Sequence, residues 1–397
     1  MPPNTVTEAP HFVPFAQPDL TAAEIAAVER VMRSGWLIEG QVARALESAV
    51  GEAVGNPRIV ATNSATNAFL SLFMALGIGR GDEVIFPTWT FTSPPLMAHL
   101  VGATPVFVDI DETDLNIDAT AVAAAITPRT KAIVPTHFAG NPADLAALAD
   151  IASAAGAALI DDAAHAFGAR HGGRPVGTCD RSRATVFSTY ATKCITTAEG
   201  GLTAVADDDL RDRIRRIGRC GIDHGTYARE NDDDPFPDYD VVTAGIKATL
   251  PDVLAAIGLA QVERADAMRR RRTEIAARYR DGLGDAERIG WIRLPPTPAD
   301  AGSVPAWHLF VIHLKTGKPD AAAAFIRRMW RIGVQCSVHF KPLHRHPFWR
   351  DGNAVTMPVA AADRRHGRTV SLPIWSAMSD AQIDFVIAAV TKVCADA

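Results

Sequence analysis

The chain has 397 residues, 48% hydrophobic and 21% charged, with a formal net charge of −5. That length exceeds one simple core and points to two domains, while the mild acidity offers no basic footprint for nucleic acid or an anionic membrane surface. Five cysteines without CxxC or zinc spacing fit free thiols, and "MPPNTVTEAPHFVPFAQPDL" lacks the basic and apolar parts of a signal peptide; a cytoplasmic protein is expected, with no metal and no membrane span.

In chain order, "TAAEIAAVERVMRSG" (21–35) has a helical period closed by Gly35, and a second helix fits 41–54. From residue 57 short apolar runs alternate with helical patterns. The runs are "RIVAT", "EVIFP", "TPVFVDI", "KAIVPTH", "AALIDD", "ATVFSTY" and "GLTAVA"; the helices fit 66–76, 92–101, 118–126 and 142–155. This alternation predicts an α/β fold with a mostly parallel sheet covered on both faces, whose ligands collect at the carboxyl ends of the strands. "HGTYARENDDDPFPDYD" (224–240) reads as a polar flap. A long helix after Pro251 leads into a smaller α+β unit with strands at 305–314 and 334–340 and helices at 319–331 and 379–394. The expected domains are therefore 13–250 and 251–397. The arginine-rich stretches near 215 and at 269–272 read as solvated helix faces.

Three stretches carry chemistry. "TNSATNAF" (62–69) places Ser64, Ala65 and Thr66 at a strand–helix junction, where backbone N–H groups and hydroxyls can hold a phosphate, although plain N-capping is the commoner use. "ALIDDAAHAFGA" (158–169) ends an apolar strand on Asp161 and Asp162. A carboxylate there needs a cationic partner, and a protonated pyridine nitrogen is one. His165 follows and fits either ring support or a satisfied core histidine. "STYATKCITTAEGG" (188–201) holds Lys193, one of only seven lysines among 40 Lys+Arg. Burial at a strand end lowers an amine's pKa and yields a nucleophile able to form a Schiff base. Gly200 and Gly201 permit positive φ or close backbone approach. The set matches what pyridoxal phosphate requires. "HFKPLHRH" (339–346) is rich in histidine, but Lys and Arg among the histidines weaken a metal reading.

These stretches, with "SGWLIEG", "GRGDEVIFPTWTFTS", "LPDVLAAIGLAQ", "AWHLFVI" and "GVQCSVHFKPLH", resemble the DegT/DnrJ/EryC1/StrS sugar aminotransferases over about residues 13–395. The combination looks closest to the branch forming UDP-4-amino-4-deoxy-L-arabinose. The resemblance implies a fold-type I enzyme using pyridoxal 5'-phosphate, with Lys193 bonding the cofactor, Asp162 on its pyridine nitrogen and His165 on its ring. It implies Ala65, Thr66 and Ser188 on the phosphate and Phe91 nearby. It also implies L-glutamate as amino donor, a ketone acceptor on a nucleotide-linked sugar, and a homodimer whose subunits share residues between active sites. Thr249, in "GIKATLPD", stands where the family supplies an asparagine to the partner's site, and Leu37, Ile38 and Glu39 stand where a polar sugar-nucleotide edge is expected. A smaller ketone or cyclitol acceptor remains an alternative. So does a ketosugar dehydratase using the amine form of the cofactor, in which histidine replaces the lysine, and so does a non-catalytic protein on the same fold.

Overall fold

A computed structural model describes residues 12–223, 238–298, 302–316, 318 and 320–395. Most of the expected flap, 224–237, lies outside the described residues.

Helix α1 (Ala22–Ser34) starts on a reciprocal Thr21–Glu24 capping box and stops where Gly35 turns to φ 76°. Helix α2 (Gln41–Val54) has no side-chain cap of its own. The Asp252 carboxylate supplies one from across the chain, accepting the N–H groups of Gly40 (2.8 Å) and Ala43 (2.9 Å). Then β1 (Ile59–Thr62), α3 (Ala65–Ala75), β2 (Glu83–Pro87), α4 (Ser93–Leu100), β3 (Thr104–Val108), α5 (Ala119–Ala125), β4 (Thr130–Ile133), α6 (Leu145–Ala155) and β5 (Ala158–Asp162) follow in βα alternation. A ribbon of β6 (Arg170–His171) and β7 (Arg174–Pro175) precedes β8 (Ala184–Ser188), β9 (Gly201–Val205) and α7 (Asp208–Gly218).

Helix α8 (Asp252–Arg288) is 37 residues long and packs on α1 and α2. Beyond it, β10 (Ile292–Arg293), β11 (Phe310–Leu314) and β13 (Thr369–Leu372) form a small antiparallel sheet. Its core gathers Tyr279, Phe310, Met329 and Val386, with α9 (Ala321–Ile332) and α11 (Asp380–Ala395) over it.

With β12 (Val355–Thr356), the large sheet has eight strands in the order β1-β9-β8-β5-β4-β2-β3-β12. The pairings of β9 with β1 and β8 are antiparallel, and the other pairings in the sheet are parallel. Strands β1, β2, β8 and β9 are buried along their whole length, as a sheet covered on both faces requires. We propose that the two units meet near residue 250, with exchanges in both directions: β12 pairs with β3 and Leu343 and Trp349 pack into the large-domain core, while Val13 packs into the small-domain core.

Two expected strands differ. The run 305–314 is strand only from Phe310, because Ala306 N–H bonds to the Gly140 carbonyl (2.9 Å) and Trp307 takes φ 50°, turning that stretch toward the ligand edge. The run 334–340 makes only isolated bridges, Val13 to Val334 and Ser337 to Ser371, and carries His339 and Phe340 toward the same edge instead of joining a ladder.

Candidate active site

A cavity of ≈ 350 Å³ opens at the carboxyl ends of β5 and β8. Alternation along β5 separates its two terminal carboxylates. Asp161 accepts the hydroxyls of Ser182 and Thr185, each at 2.9 Å. Asp162 lines the cavity, where it accepts the Ala164 N–H (3.1 Å) and the Thr136 hydroxyl (3.3 Å). Burial pushes the Asp162 carboxyl above its usual range, against both bonds and the attraction of Lys193.

Lys193 sits in the loop after β8, its N–H bonded to the Tyr190 carbonyl at 2.9 Å. Its accessible surface faces the cavity. Burial lowers its amine from 10.5 to about 8, against the attraction of Asp162. His165 is buried, and burial holds its ring well below 6.5, so it is neutral. Its ring lies 4.4 Å from that of His308 and 5.9 Å from that of Phe340, nearly parallel to the latter at 20°. Its Nδ1 has no hydrogen-bond partner among the described residues.

The "EGG" turn is explained by close approach rather than positive φ. A Cβ on Gly201 would lie 2.6 Å from the Ala65 nitrogen, and one on Gly200 2.3 Å from both the Thr189 and Thr197 hydroxyls. Those hydroxyls bond each other at 2.6 Å and close the lysine loop. Gly201 thus lets β9 reach the N-terminus of α3, where Ser64, Ala65 and Thr66 line the cavity. Ser64 is also the N-cap, accepting the Asn67 N–H at 3.1 Å, and the Thr66 hydroxyl bonds Ser93 at 2.9 Å. Ser188 and Phe91 line the cavity too, Phe91 at 58% exposure near its mouth. Thr249 does not line it; it bridges Thr62 outside.

Sequence reasoning missed several lining residues: Phe15, Thr136, Tyr190, His308, His339 and Phe340. The "AWHLFVI" and "VHF" stretches were the available signal for the two histidines and Phe340. The arginine-rich helices are also not simply solvated. Arg215 pairs with Glu47, Arg219 with Glu39 (2.6 Å), and buried Arg272 donates to the Cys194 carbonyl (3.0 Å), bracing the lysine loop. In "HFKPLHRH", His339 bonds Ser371 and His344 bonds Thr88 and Asp363, so the histidines diverge. Among the described residues, no three His, Cys, Asp or Glu side chains are placed to hold a metal. No described helix is long and apolar enough to cross a membrane.

The sequence model of the DegT/DnrJ/EryC1/StrS aminotransferase family matches residues 18–391. The chain belongs to this family. It is a pyridoxal phosphate-dependent aminotransferase on an α/β fold. Among solved structures it resembles the aminotransferase TlmJ of Streptoalloteichus hindustanus, with TM-score 0.87 and 30% identity over 97% of this chain and 99% of that one. The sugar aminotransferase Spr1654 of Streptococcus pneumoniae, in its PMP form, gives TM-score 0.88 and 28% identity over 97% and 99%. Helicobacter pylori PseC, involved in the biosynthesis of pseudoaminic acid, gives 0.89 and 25% over 98% and 100%. As a family member the enzyme takes an amino donor and a keto acceptor.

The cavity fits pyridoxal phosphate on its own terms. It offers a buried carboxylate lacking an adjacent cation other than Lys193 among the described residues, an unpartnered histidine nitrogen and a half-buried helix N-terminus suited to phosphate.

Proposed function

We propose that the enzyme transfers the amino group of L-glutamate to a nucleotide-linked 4-keto sugar, with a UDP-4-ketopentose as the first acceptor to try. The observation that carries this reading is the convergence of Lys193, Asp162 and His165 on one cavity in a chain of the sugar aminotransferase family. Phe15, Phe91, Tyr190 and Phe340 give that cavity aromatic walls on which a sugar ring can rest.

Bound pyridoxal phosphate supplies an electron sink for a carbanion next to nitrogen. Lys193 is the amine that bonds it, and Asp162 is the carboxylate that keeps its ring nitrogen protonated. His165 supports the ring face, while Ser188, Ala65 and Thr66 hold the phosphate. The Lys193 amine, when not bonded to the cofactor, would serve as the base that holds and moves a proton in the cavity. Its value of about 8 leaves both protonation states accessible near neutrality, as this exchange requires. In a homodimer Thr249 would be the residue offered to the cofactor phosphate of the partner subunit, with a shorter arm than asparagine. The five free cysteines support a cytoplasmic location.

A second reading, a smaller ketone or cyclitol acceptor, is favoured by Leu37 and Ile38, exposed apolar side chains (40% and 48%) where a polar nucleotide edge is expected. The deciding experiment is glutamate-dependent amination, with 2-oxoglutarate release, across nucleotide ketosugars and simple ketones. Ping-pong kinetics with a nucleotide ketosugar support the first reading. Turnover confined to simple ketones overturns it.

A further inference from the structure

A second cavity, of ≈ 50 Å³, lies between the small sheet and the large domain. Alternation along β11 sends Phe310, Ile312 and Leu314 into the small-domain core and leaves Val311 and His313 on the face toward the large domain. On that face Arg293, His313 and Thr369 form one cross-strand row, since Arg293 pairs with His313 and His313 with Thr369. The row lines the cavity together with Arg365, the last residue of α10 (Ala360–Arg365).

The donors in this cavity are not satisfied. Thr369 is 2% exposed and its hydroxyl has no partner; Arg365 is 6% exposed and its Nε has none; His313 Nδ1 has none. Among the described residues Arg365 donates elsewhere only to the Glu112 carbonyl. Neither Arg293 nor Arg365 has an ion pair among the described residues. The acids on the rim are already engaged. Glu112 pairs with Arg364, and Asp114 accepts the Asn116 side-chain amide at 2.9 Å. Burial and the charges of Arg365, Arg368 and Arg293 hold His313 down to about 4, against the attraction of Glu112. Two guanidinium groups near each other, one of them buried, are costly without a counter-charge.

We propose that this interdomain cavity binds a small oxyanion, either a phosphate-like ion or a carboxylate, of about four or five non-hydrogen atoms. Guanidinium N–H groups and a hydroxyl are the donors that match an acceptor-only ligand. The bound anion ties β10, β11 and β13 to the large-domain segments 112–115 and 138–141. Leu309 lines this cavity and the catalytic one, so the two sites share a wall.

The test uses the cofactor-loaded enzyme, in which the cofactor's own phosphate site is filled. Sodium phosphate, sodium sulfate and sodium acetate are titrated separately at ionic strength held constant with sodium chloride, and the melting temperature is followed. A saturable rise is expected in at least one arm, because a ligand bound only by the folded state stabilises it. The arm that saturates at the lowest concentration distinguishes a tetrahedral anion from a carboxylate. Arg293→Gln and Thr369→Val each move the titration midpoint upward about tenfold or more, with cofactor absorbance and anion-free turnover unchanged. If one variant fails to fold, the other carries the comparison. No saturable rise in any arm, or an equal rise in wild type and variants, overturns the proposal.

Discussion

Replacing Lys193 with methionine should abolish turnover yet stabilise the cofactor-free protein at neutral pH. The amine titrates at about 8 in the folded chain against 10.5 for an ordinary lysine. That gap corresponds to ~3 kcal/mol by which burial of the charged amine opposes folding. Between the two values the unfolded chain binds the extra proton. The apo enzyme therefore gains stability as pH rises from about 8 toward 10.5, and the full penalty is present below about 8. Methionine keeps an unbranched side chain, one atom shorter, and removes the penalty. The gain falls short of the full figure, because Asp162 loses the cationic neighbour that opposes its own raised pKa. The assay is thermal or urea unfolding of cofactor-free wild type and Lys193→Met from pH 7 to 10, read as the difference between the two. Other alkaline groups titrate in both proteins and cancel. A difference that shrinks as pH rises fits the burial argument. A pH-independent difference, or a variant less stable than wild type at pH 7, refutes it.

Gly201→Ala places a methyl group 2.6 Å from the Ala65 nitrogen, with backbone atoms as the nearest neighbours. Either β9 or the start of α3 must shift, at ~1–3 kcal/mol. Cofactor retention on gel filtration should fall more clearly than folded secondary structure by circular dichroism, and unchanged retention would count against the close-approach reading. Asp162→Asn should leave the cofactor bonded to the enzyme, since Lys193 is intact, but lower kcat by about 10²–10⁴. A variant within a few-fold of wild type would remove Asp162 from its proposed role.

Local patterns are legible wherever a residue's own neighbours decide its state. The Thr21–Glu24 box, Gly35 and the Ser64 cap mark helix ends at short range, and most βα runs appear as strands and helices within a residue or two, although the strand in "KAIVPTH" ends already at Ile133 and the helix expected from 142 starts at Leu145. The proposed catalytic positions stand out in the sequence because Asp162, Lys193 and the "EGG" turn lie at the ends of buried strands, where a polar side chain needs a reason. Of the adjacent pair Asp161 and Asp162, sequence gives both the same character. Only the sheet shows that one is satisfied by Ser182 and Thr185 while the other faces the cavity. The extended stretches 305–309 and 334–340 read as strand by propensity, yet contacts to Gly140 and Ser371 draw them out of register.

By itself, the sequence determined the order of elements, the covered, mostly parallel sheet and the residues proposed to bond, protonate and cradle a cofactor, because periodicity and strand-end chemistry are local. The tertiary structure alone decided which of those residues share a cavity. It brought His308, His339 and Phe340 to His165 and Lys193 from more than a hundred positions away, locked Arg272 onto the lysine loop, and left Thr249 outside the pocket of its own chain. Those outcomes depend on packing between distant segments, which no run of neighbouring residues encodes.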